Sequence, residues 1–330
     1  MSSLETRKLS YSLAINEALR QTMAQDRSVF VLGQGLKSPW YVGNTCRGLL
    51  AKFGPRRIID TPISENALTG AAVGAAIAGM KPVVMHPRLD FMMYGVEPII
   101  NAAANWYYMF GGKSSAPVVI WGIINRRGEQ AAQHSQALQA LFAHIPGLKV
   151  VMPSIPSDAK GLMVAAIQDS NPVMYIDDRW LYQDQGAVPK EIYAVPIGKG
   201  IVRKKGKDIT IVGISYMARE AVKAAQELKK ENISAEVIDV RTVKPLDIPL
   251  ILASVKKTGR LLIAEAAWKT GGVSAEIAAQ ISNQAFPFLK AQIARVCLAD
   301  APAPMSRALE EEYYIDAKDI VQEALRQLGK

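Results

Sequence analysis

Two side chains stand out as candidates for catalysis, a glutamate and a histidine. Glu65 ends the stretch Asp60-Thr61-Pro62-Ile63-Ser64-Glu65 and opens a run of small residues typical of a closely packed helix. His134 follows in the polar stretch Gln133-His134-Ser135-Gln136. A carboxyl group in a dry pocket can share a proton with a bound ring, and an imidazole exchanges protons near neutral pH. The pair therefore indicates acid–base chemistry on a small molecule.

Each candidate also has a structural alternative. Ser64 would cap the helix and the Glu65 carboxylate would complement its dipole, with no catalytic role. His134 would be a structural histidine whose ring is hydrogen-bonded within the fold. Neither residue, by itself, distinguishes a catalytic role from a structural one.

Strand-length apolar runs alternate with helical patterns along most of the chain. We predict strands over residues 28–33, 81–85, 117–121, 148–152, 209–213, 235–240 and 260–265. We predict helices over residues 11–24, 67–79, 96–108, 157–168, 218–229 and 316–328. This alternation predicts an α/β fold, with a mainly parallel sheet and helices on both faces. Residues 58–65 read as a strand that runs into a helix, which would hold Glu65 rigidly.

The chain is long enough for two domains of ordinary size at 330 residues. Residues 181–205 are rich in Pro, Gly and basic residues and lack periodicity, which is typical of a linker. We therefore expect a first domain over residues 1–195, linker included, and a second over residues 196–330.

Composition excludes several classes of protein. The start lacks the apolar core of a signal peptide, and the longest weakly polar stretch, residues 70–80, is too short to span a membrane. Cys46 and Cys297 have no metal-ligand spacing, so we expect a reducing cytoplasm. The net charge of +9 is scattered. It favours a solvated face, or a surface that meets an acidic protein, over nucleic-acid binding.

Several short motifs follow one another in a fixed order along both halves of the chain. They lie at residues 58–65, 70–79, 111–112, 134–136, 146–153, 158–162, 169–173, 240–247 and 272–276. Their order and spacing resemble the beta subunit of the decarboxylating component of 2-oxo acid dehydrogenase complexes. The resemblance covers nearly the whole chain. It implies a thiamine diphosphate pyrimidine-binding domain followed by a transketolase C-terminal-like α/β domain.

The resemblance also implies roles for individual residues. Glu65 would hydrogen-bond the aminopyrimidine ring of thiamine diphosphate, and Ile63 would lie against the cofactor. Phe91 would stack on the same ring, with ordinary core packing as its alternative. His134 would lie near the reacting carbon, where it positions or protonates the intermediate or meets the acyl acceptor.

The implied enzyme needs partners. The chain has no Gly-Asp-Gly followed by Asn-Asn, the pattern with which such enzymes hold magnesium and the diphosphate. A separate alpha subunit would supply it, in an assembly of two alpha and two beta chains. The C-terminal domain would contact the second beta chain and dock a lipoyl-bearing acyltransferase. Backbone carbonyls of Ala166, Asp169 and Asn171 would bind potassium, although the same residues also suit a plain helix-ending turn.

Two stretches near the implied cofactor site, residues 85–90 and 121–127, depart from the usual family pattern. They contain the arginines Arg88, Arg126 and Arg127. Arginines here would receive an anionic substrate such as a phosphorylated sugar or a dicarboxylate. Alternatively, they pair with Asp90, Glu129 or the partner subunit.

The predicted function is oxidative decarboxylation of a 2-oxo acid with acyl transfer to lipoamide. A split transketolase-like enzyme that moves a ketol group between sugars is the first alternative, because transketolases share both domains. A non-catalytic scaffolding subunit is the second.

Overall fold

The computed structural model describes residues 6–330, which form two compact units. The first unit comprises the chain up to Asn125 together with residues 141–197. The second comprises residues 126–140 and 198–330. The two units therefore interleave in the sequence, because residues 126–140 group with the C-terminal part of the chain.

Among the described residues, eight strands belong to the first unit. They are β1 (Thr6–Ser10), β2 (Val29–Gly33), β3 (Ile58–Asp60), β4 (Lys81–His86), β5 (Val119–Ile124), β6 (Lys149–Val151), β7 (Val173–Asp178) and β8 (Gln185–Pro189). Six of them are hydrogen-bonded in the order β6-β7-β5-β4-β2-β3, and every pair is parallel. Strands β1 and β8 form a separate antiparallel pair. Every residue of β5 and β7 is buried, as expected for parallel strands covered on both faces.

The helices of the first unit fill the connections between these strands. They are α1 (Tyr11–Gln25), α2 (Pro39–Val42), α3 (Leu49–Phe53), α4 (Glu65–Ile77), α5 (Asn105–Met109) and α7 (Pro156–Gln168), with a 3₁₀ helix at Phe91–Gly95 and a π-helix at Pro98–Ala104. Helix α6 (Gln139–His144) carries the chain back from the second unit. The helix predicted over residues 96–108 is thus divided into a π-helix and α5.

The second unit repeats the parallel α/β pattern. Its strands are β9 (Ile201–Lys204), β10 (Ile209–Gly213), β11 (Ala235–Asp239), β12 (Thr242–Lys244), β13 (Leu261–Trp268) and β14 (Ala294–Leu298). Its helices are α8 (Tyr216–Lys230), α9 (Ile248–Thr258), α10 (Val273–Ala285), α11 (Arg307–Tyr313) and α12 (Ala317–Leu328). The order β14-β13-β10-β11-β9 is parallel except for the antiparallel edge strand β9.

The prediction that residues 181–205 form only a linker is wrong. Strand β8 pairs with β1, and β9 pairs with β11. Both are partly exposed edge strands, so they carry no continuous apolar run. Arg203, from the basic cluster there, lies on β9 and donates to Asp239 at 2.7 Å.

Among residues 6–330, no helix is long and apolar enough to cross a membrane.

Candidate active site

The carboxyl edge of the parallel sheet in the first unit gathers four of the predicted site residues, Ile63, Glu65, Arg88 and Phe91. Glu65 follows β3, Arg88 and Phe91 follow β4, and Arg179 follows β7. Parallel strands end at one edge, and open α/β sheets bind ligands there. The strand-to-helix connection predicted for residues 58–65 is confirmed, with β3 ending at Asp60 and α4 starting at Glu65.

Glu65 is a buried carboxylate at the start of α4. It is 8% exposed, and no hydrogen bond to its carboxylate occurs within residues 6–330. Ser64 makes no capping hydrogen bond through its side chain, so the structural alternative that paired it with Glu65 is wrong on that point. A buried carboxylate is normally hydrogen-bonded. Glu65 is therefore available to a hydrogen-bonding ligand.

Next to Glu65, α4 makes a tight contact with the segment after β4. Thr69, one turn beyond Glu65, lies 3.1 Å through Oγ1 from Nε2 of His86. His86 is fully buried, and burial lowers its pKa to about 3, so its imidazole is neutral. Gly95 packs against the same turn: a Cβ added there would lie 2.7 Å from Thr69 Oγ1 and 3.2 Å from the Glu65 carbonyl oxygen. The spacing between Glu65 and the Phe91 segment thus depends on a glycine.

Phe91 and Ile63 offer apolar surface on the segments next to Glu65. Phe91 begins the 3₁₀ helix that ends at Gly95 and is partly exposed. Ile63, two residues before Glu65, is 73% exposed. A large aliphatic side chain that is so exposed, next to a buried carboxylate, is well placed to be covered by a ligand or by another protein chain.

Buried polar atoms without partners mark the same edge. Gln34 Oε1, Thr61 Oγ1 and His86 Nδ1 make no hydrogen bond within residues 6–330. They lie at the carboxyl ends of β2, β3 and β4, which are neighbours in the sheet. Such atoms usually indicate a missing polar partner. A polar heterocycle fits this edge, and together with Glu65 and Phe91 the residues present fit the aminopyrimidine part of thiamine diphosphate.

Two arginines lie close to one another at this edge. Burial lowers the pKa of Arg88, the nearby charge of Arg179 lowers it further, and Asp90 opposes both effects. Arg179 donates to the Asn125 side chain and to the Tyr41 carbonyl, both at 3.3 Å. Asp90 thus partly balances the charge of Arg88, which agrees with the alternative that this arginine pairs with Asp90.

Asp177, near the end of β7, is a functional candidate that was not recognised from the sequence. It is fully buried, and burial raises its pKa to about 7. The Tyr182 hydroxyl and the Trp121 indole lower the pKa somewhat, yet neither Asp177 oxygen completes a hydrogen bond within residues 6–330. A signal was present: the run Asp177-Asp178-Arg179 directly follows an apolar strand.

The remaining candidates near the expected site lie in the second unit. His134 ends a short 3₁₀ turn (Ala132–His134) and is partly exposed. Arg126 is buried. Burial raises the pKa of Tyr313, and the nearby charge of Arg126 opposes this rise. The Arg127 guanidinium lies 5.9 Å from the centre of the Tyr314 ring. All three residues belong to the unit that contains the C-terminal part of the chain.

The expected potassium segment forms the turn that ends α7. Ala166 is buried in the last turn of α7, where carbonyl groups lack partners within the helix. Asp169 Oδ1 accepts from the Asn171 N–H at 2.9 Å, and Asp169 Oδ2 lies 2.5 Å from Lys149 Nζ. The turn alternative is therefore present in the structure. Potassium at these carbonyls stays a prediction.

Two family models account for both units of this fold. The transketolase pyrimidine-binding domain matches residues 7–185, and the transketolase C-terminal domain matches residues 198–320. The predicted fold class is confirmed. A chain titled "split gene transketolase, inactive beta4 tetramer" has a TM-score of 0.79 and 25% identity, over 97% of this chain and 98% of its own.

Relatives with higher sequence identity define the class of protein more narrowly. The chain is 45% identical to the beta subunit of the acetoin:2,6-dichlorophenolindophenol oxidoreductase of Cupriavidus necator, over 96% of this chain and 97% of the relative. It is 41% identical to the pyruvate dehydrogenase E1 component subunit beta of Rickettsia felis, over 94% and 95%. The chain belongs to this family of transketolase-like dehydrogenase beta subunits, which confirms the resemblance.

Proposed function

We propose that this chain is the beta subunit of a two-chain thiamine diphosphate-dependent enzyme. Its reaction is oxidative decarboxylation of a 2-oxo acid with acyl transfer to lipoamide. The observation that carries the proposal is Glu65, a side chain only 8% exposed whose carboxylate makes no hydrogen bond within residues 6–330. Membership of the dehydrogenase beta-subunit family supports it.

The residues of this chain bind and activate the cofactor ring. Bound thiamine diphosphate supplies an electron sink for the bond that breaks beside the carbonyl carbon of the donor. Glu65 hydrogen-bonds a nitrogen of the aminopyrimidine, and its burial strengthens that bond. Phe91 and Ile63 provide apolar contacts to the cofactor. His134 donates or accepts a proton at the reacting group.

An alpha subunit completes the site. Among residues 6–330, no group of three or more His, Cys, Asp or Glu side chains could hold a metal ion. We assign magnesium and the diphosphate to that subunit. Three large side chains of the first unit suit a protein partner, since Trp40 is 71% exposed, Ile63 73% and Tyr94 74%. A second beta chain, a docked lipoyl acyltransferase and a cytoplasmic location remain part of the proposal, as does a domain division near residue 195.

The two alternatives have weaker support. Identity to the split transketolase chain is 25%, against 41–45% to the dehydrogenase beta subunits. A scaffolding subunit without chemistry has no use for an unpartnered buried carboxylate at a ligand-binding edge.

Among the arginines, Arg88 is the strongest candidate for contact with an anionic donor. It lies at the same sheet edge as Glu65, in the same unit. Arg127 lies against Tyr314 and Arg126 near Tyr313. We therefore expect Arg88→Gln to raise the KM for an anionic donor more than Arg127→Gln does.

The test of function is a donor panel, with this chain co-purified with its alpha subunit in thiamine diphosphate and magnesium. The panel contains 2-oxo acids and acetoin with an artificial electron acceptor, and ketose phosphates with an aldose acceptor. Release of carbon dioxide from a 2-oxo acid confirms the proposal. Turnover of acetoin alone identifies the same cofactor chemistry with another donor. Turnover of ketoses alone makes the enzyme a transketolase and contradicts the proposal.

A separate measurement tests the potassium site. If the carbonyls of Ala166, Asp169 and Asn171 bind potassium, replacing it with choline at equal ionic strength lowers the melting temperature. Rubidium, a close substitute in size, restores it. Equal melting temperatures in all three salts contradict the site.

A further inference from the structure

Residues 126–140, which we name the His134 segment, have an unusual backbone. The φ angle is positive at Arg127 (53°), Gly128 (66°), Glu129 (60°) and Ala131 (59°). Residues other than glycine rarely adopt such angles, and they persist only where surrounding contacts impose them. The contacts that impose this shape therefore also determine where His134 lies.

The first half of the His134 segment is held by α11 and the residue after it. Both carboxylate oxygens of Glu310, which is 3% exposed, accept from the Glu129 N–H, at 3.1 and 3.2 Å. Arg307 lies 3.7 Å from the Glu129 carboxylate. The Arg127 guanidinium lies over the Tyr314 ring. Of these contacts, the Glu310 bonds are part-buried and involve the N–H of a residue with a positive φ angle.

The second half is held by another buried carboxylate. Gln139 Nε2 donates to Glu265 Oε1 at 2.8 Å, and both residues are almost fully buried. Glu265 also accepts from the backbone N–H groups of Val273, at 3.2 Å, and Ser274, at 2.7 Å, at the start of α10. This carboxylate is fixed by three donors, so it is a rigid anchor for Gln139.

We infer that Glu310 and Glu265 are positioning residues, which fix His134 by anchoring the two ends of its segment to the rest of the second unit. His134 lies midway in sequence between the anchored residues Glu129 and Gln139. The inference rests on the proposed role of His134 in the reaction. Glu265 also caps α10, so its removal would affect folding. Glu310 is the residue to test.

The variants are Glu310→Ala, which removes the anchor, and Glu310→Gln, which keeps its size and one acceptor oxygen. Glu311→Ala is the matched control, because Glu311 is the next residue on α11 and is exposed. Each variant is made alone and combined with His134→Ala, in the complex with the alpha subunit. Displacement of a catalytic group by about 1 Å can cost about a hundredfold in rate. We therefore expect Glu310→Ala to lower kcat by about 10- to 100-fold, with the donor KM little changed and Glu310→Gln intermediate.

Two readouts separate positioning from general damage. In the His134→Ala background, Glu310→Ala should cause no further loss of kcat, because its effect passes through His134. In limited trypsin digestion followed by mass spectrometry, cleavage after Arg127 should be at least tenfold faster in Glu310→Ala, and unchanged in Glu311→Ala. The digestion needs no enzyme activity, so it tests the anchor independently of the proposed function.

The results that overturn the inference are specific. Unchanged cleavage after Arg127 in both Glu310 variants shows that Glu310 does not anchor the segment. Additive losses in Glu310→Ala/His134→Ala show that Glu310 does not act through His134. If His134→Ala alone is fully active, the proposed role of His134 fails, and the positioning inference fails with it even when the anchor is real. If Glu310→Ala does not fold, Glu310→Gln gives the same comparisons at smaller amplitude.

Discussion

Gly95 packs so closely against the first turn of α4 that a single methyl group should disturb cofactor binding. In Gly95→Ala, the new Cβ would lie 2.7 Å from Thr69 Oγ1, where ordinary contacts begin at 3.4 Å. The 3₁₀ helix that carries Phe91 must therefore move away from α4 by several tenths of an ångström. Overpacking of this kind costs about 1–3 kcal/mol. Since about 1.4 kcal/mol is a factor of ten in an equilibrium constant, we expect thiamine diphosphate to bind about tenfold more weakly.

The assay is calorimetric titration of the complex with thiamine diphosphate in excess magnesium, for wild type, Gly95→Ala, Thr69→Ala and the double variant. Thr69→Ala removes the oxygen that clashes, so the double variant should recover part of the lost affinity. By itself, Thr69→Ala removes the only hydrogen bond that the His86 side chain makes within residues 6–330, which lowers stability more than affinity. Wild-type affinity in Gly95→Ala would refute the argument that this contact sets the spacing between Glu65 and Phe91.

Two further predictions concern stability. Lys160→Met should lower the free energy of unfolding, measured by urea titration, by about 3–5 kcal/mol, because the fully buried ammonium group bonds Glu17 at 2.7 Å and three backbone carbonyls. Lys149→Met, which breaks a part-exposed ion pair, should lower it by about 1 kcal/mol or less. Equal losses in the two variants would contradict the argument from burial. Burial raises the pKa of Asp177 from 3.8 to about 7, so the folded state retains a proton that the unfolded chain has lost, and stability falls between about pH 4 and 7 by up to about 1.4 kcal/mol per pH unit. Asp177→Asn removes this loss, so its stability relative to wild type should rise from pH 5 to pH 8; a constant difference would contradict the raised pKa.

The alternation of strands and helices was predictable because it depends on local periodicity. The continuous apolar runs at β2, β4 and β10 were recognisable, and so was the connection from β3 into α4. Strands β8 and β9 were not, because edge strands with partly exposed residues have no apolar pattern. Their pairing partners, β1 and β11, lie far away in the sequence. The π-helix at Pro98–Ala104 has no composition that distinguishes it from an α-helix.

The site was predictable to the extent that its residues occur in motifs. Glu65 and Phe91 lie at the same sheet edge, as motif order implied. The grouping of His134 with the second unit was not predictable, since it depends on Glu310, 181 residues from its partner Glu129, and on Glu265, 126 residues from Gln139. Local sequence carries no information about such contacts.

The most direct test of the proposed function is the turnover of Glu65→Gln in the complex with the alpha subunit. Glutamine keeps the size of the side chain but cannot share a proton with the cofactor ring. General acid–base groups contribute about 10²- to 10⁴-fold in rate, so we expect donor consumption to fall by at least about a hundredfold while the complex still assembles. Glu97→Gln, at an exposed residue of the same unit, should retain wild-type turnover. Wild-type turnover in Glu65→Gln would remove Glu65 from the mechanism and contradict the proposed function.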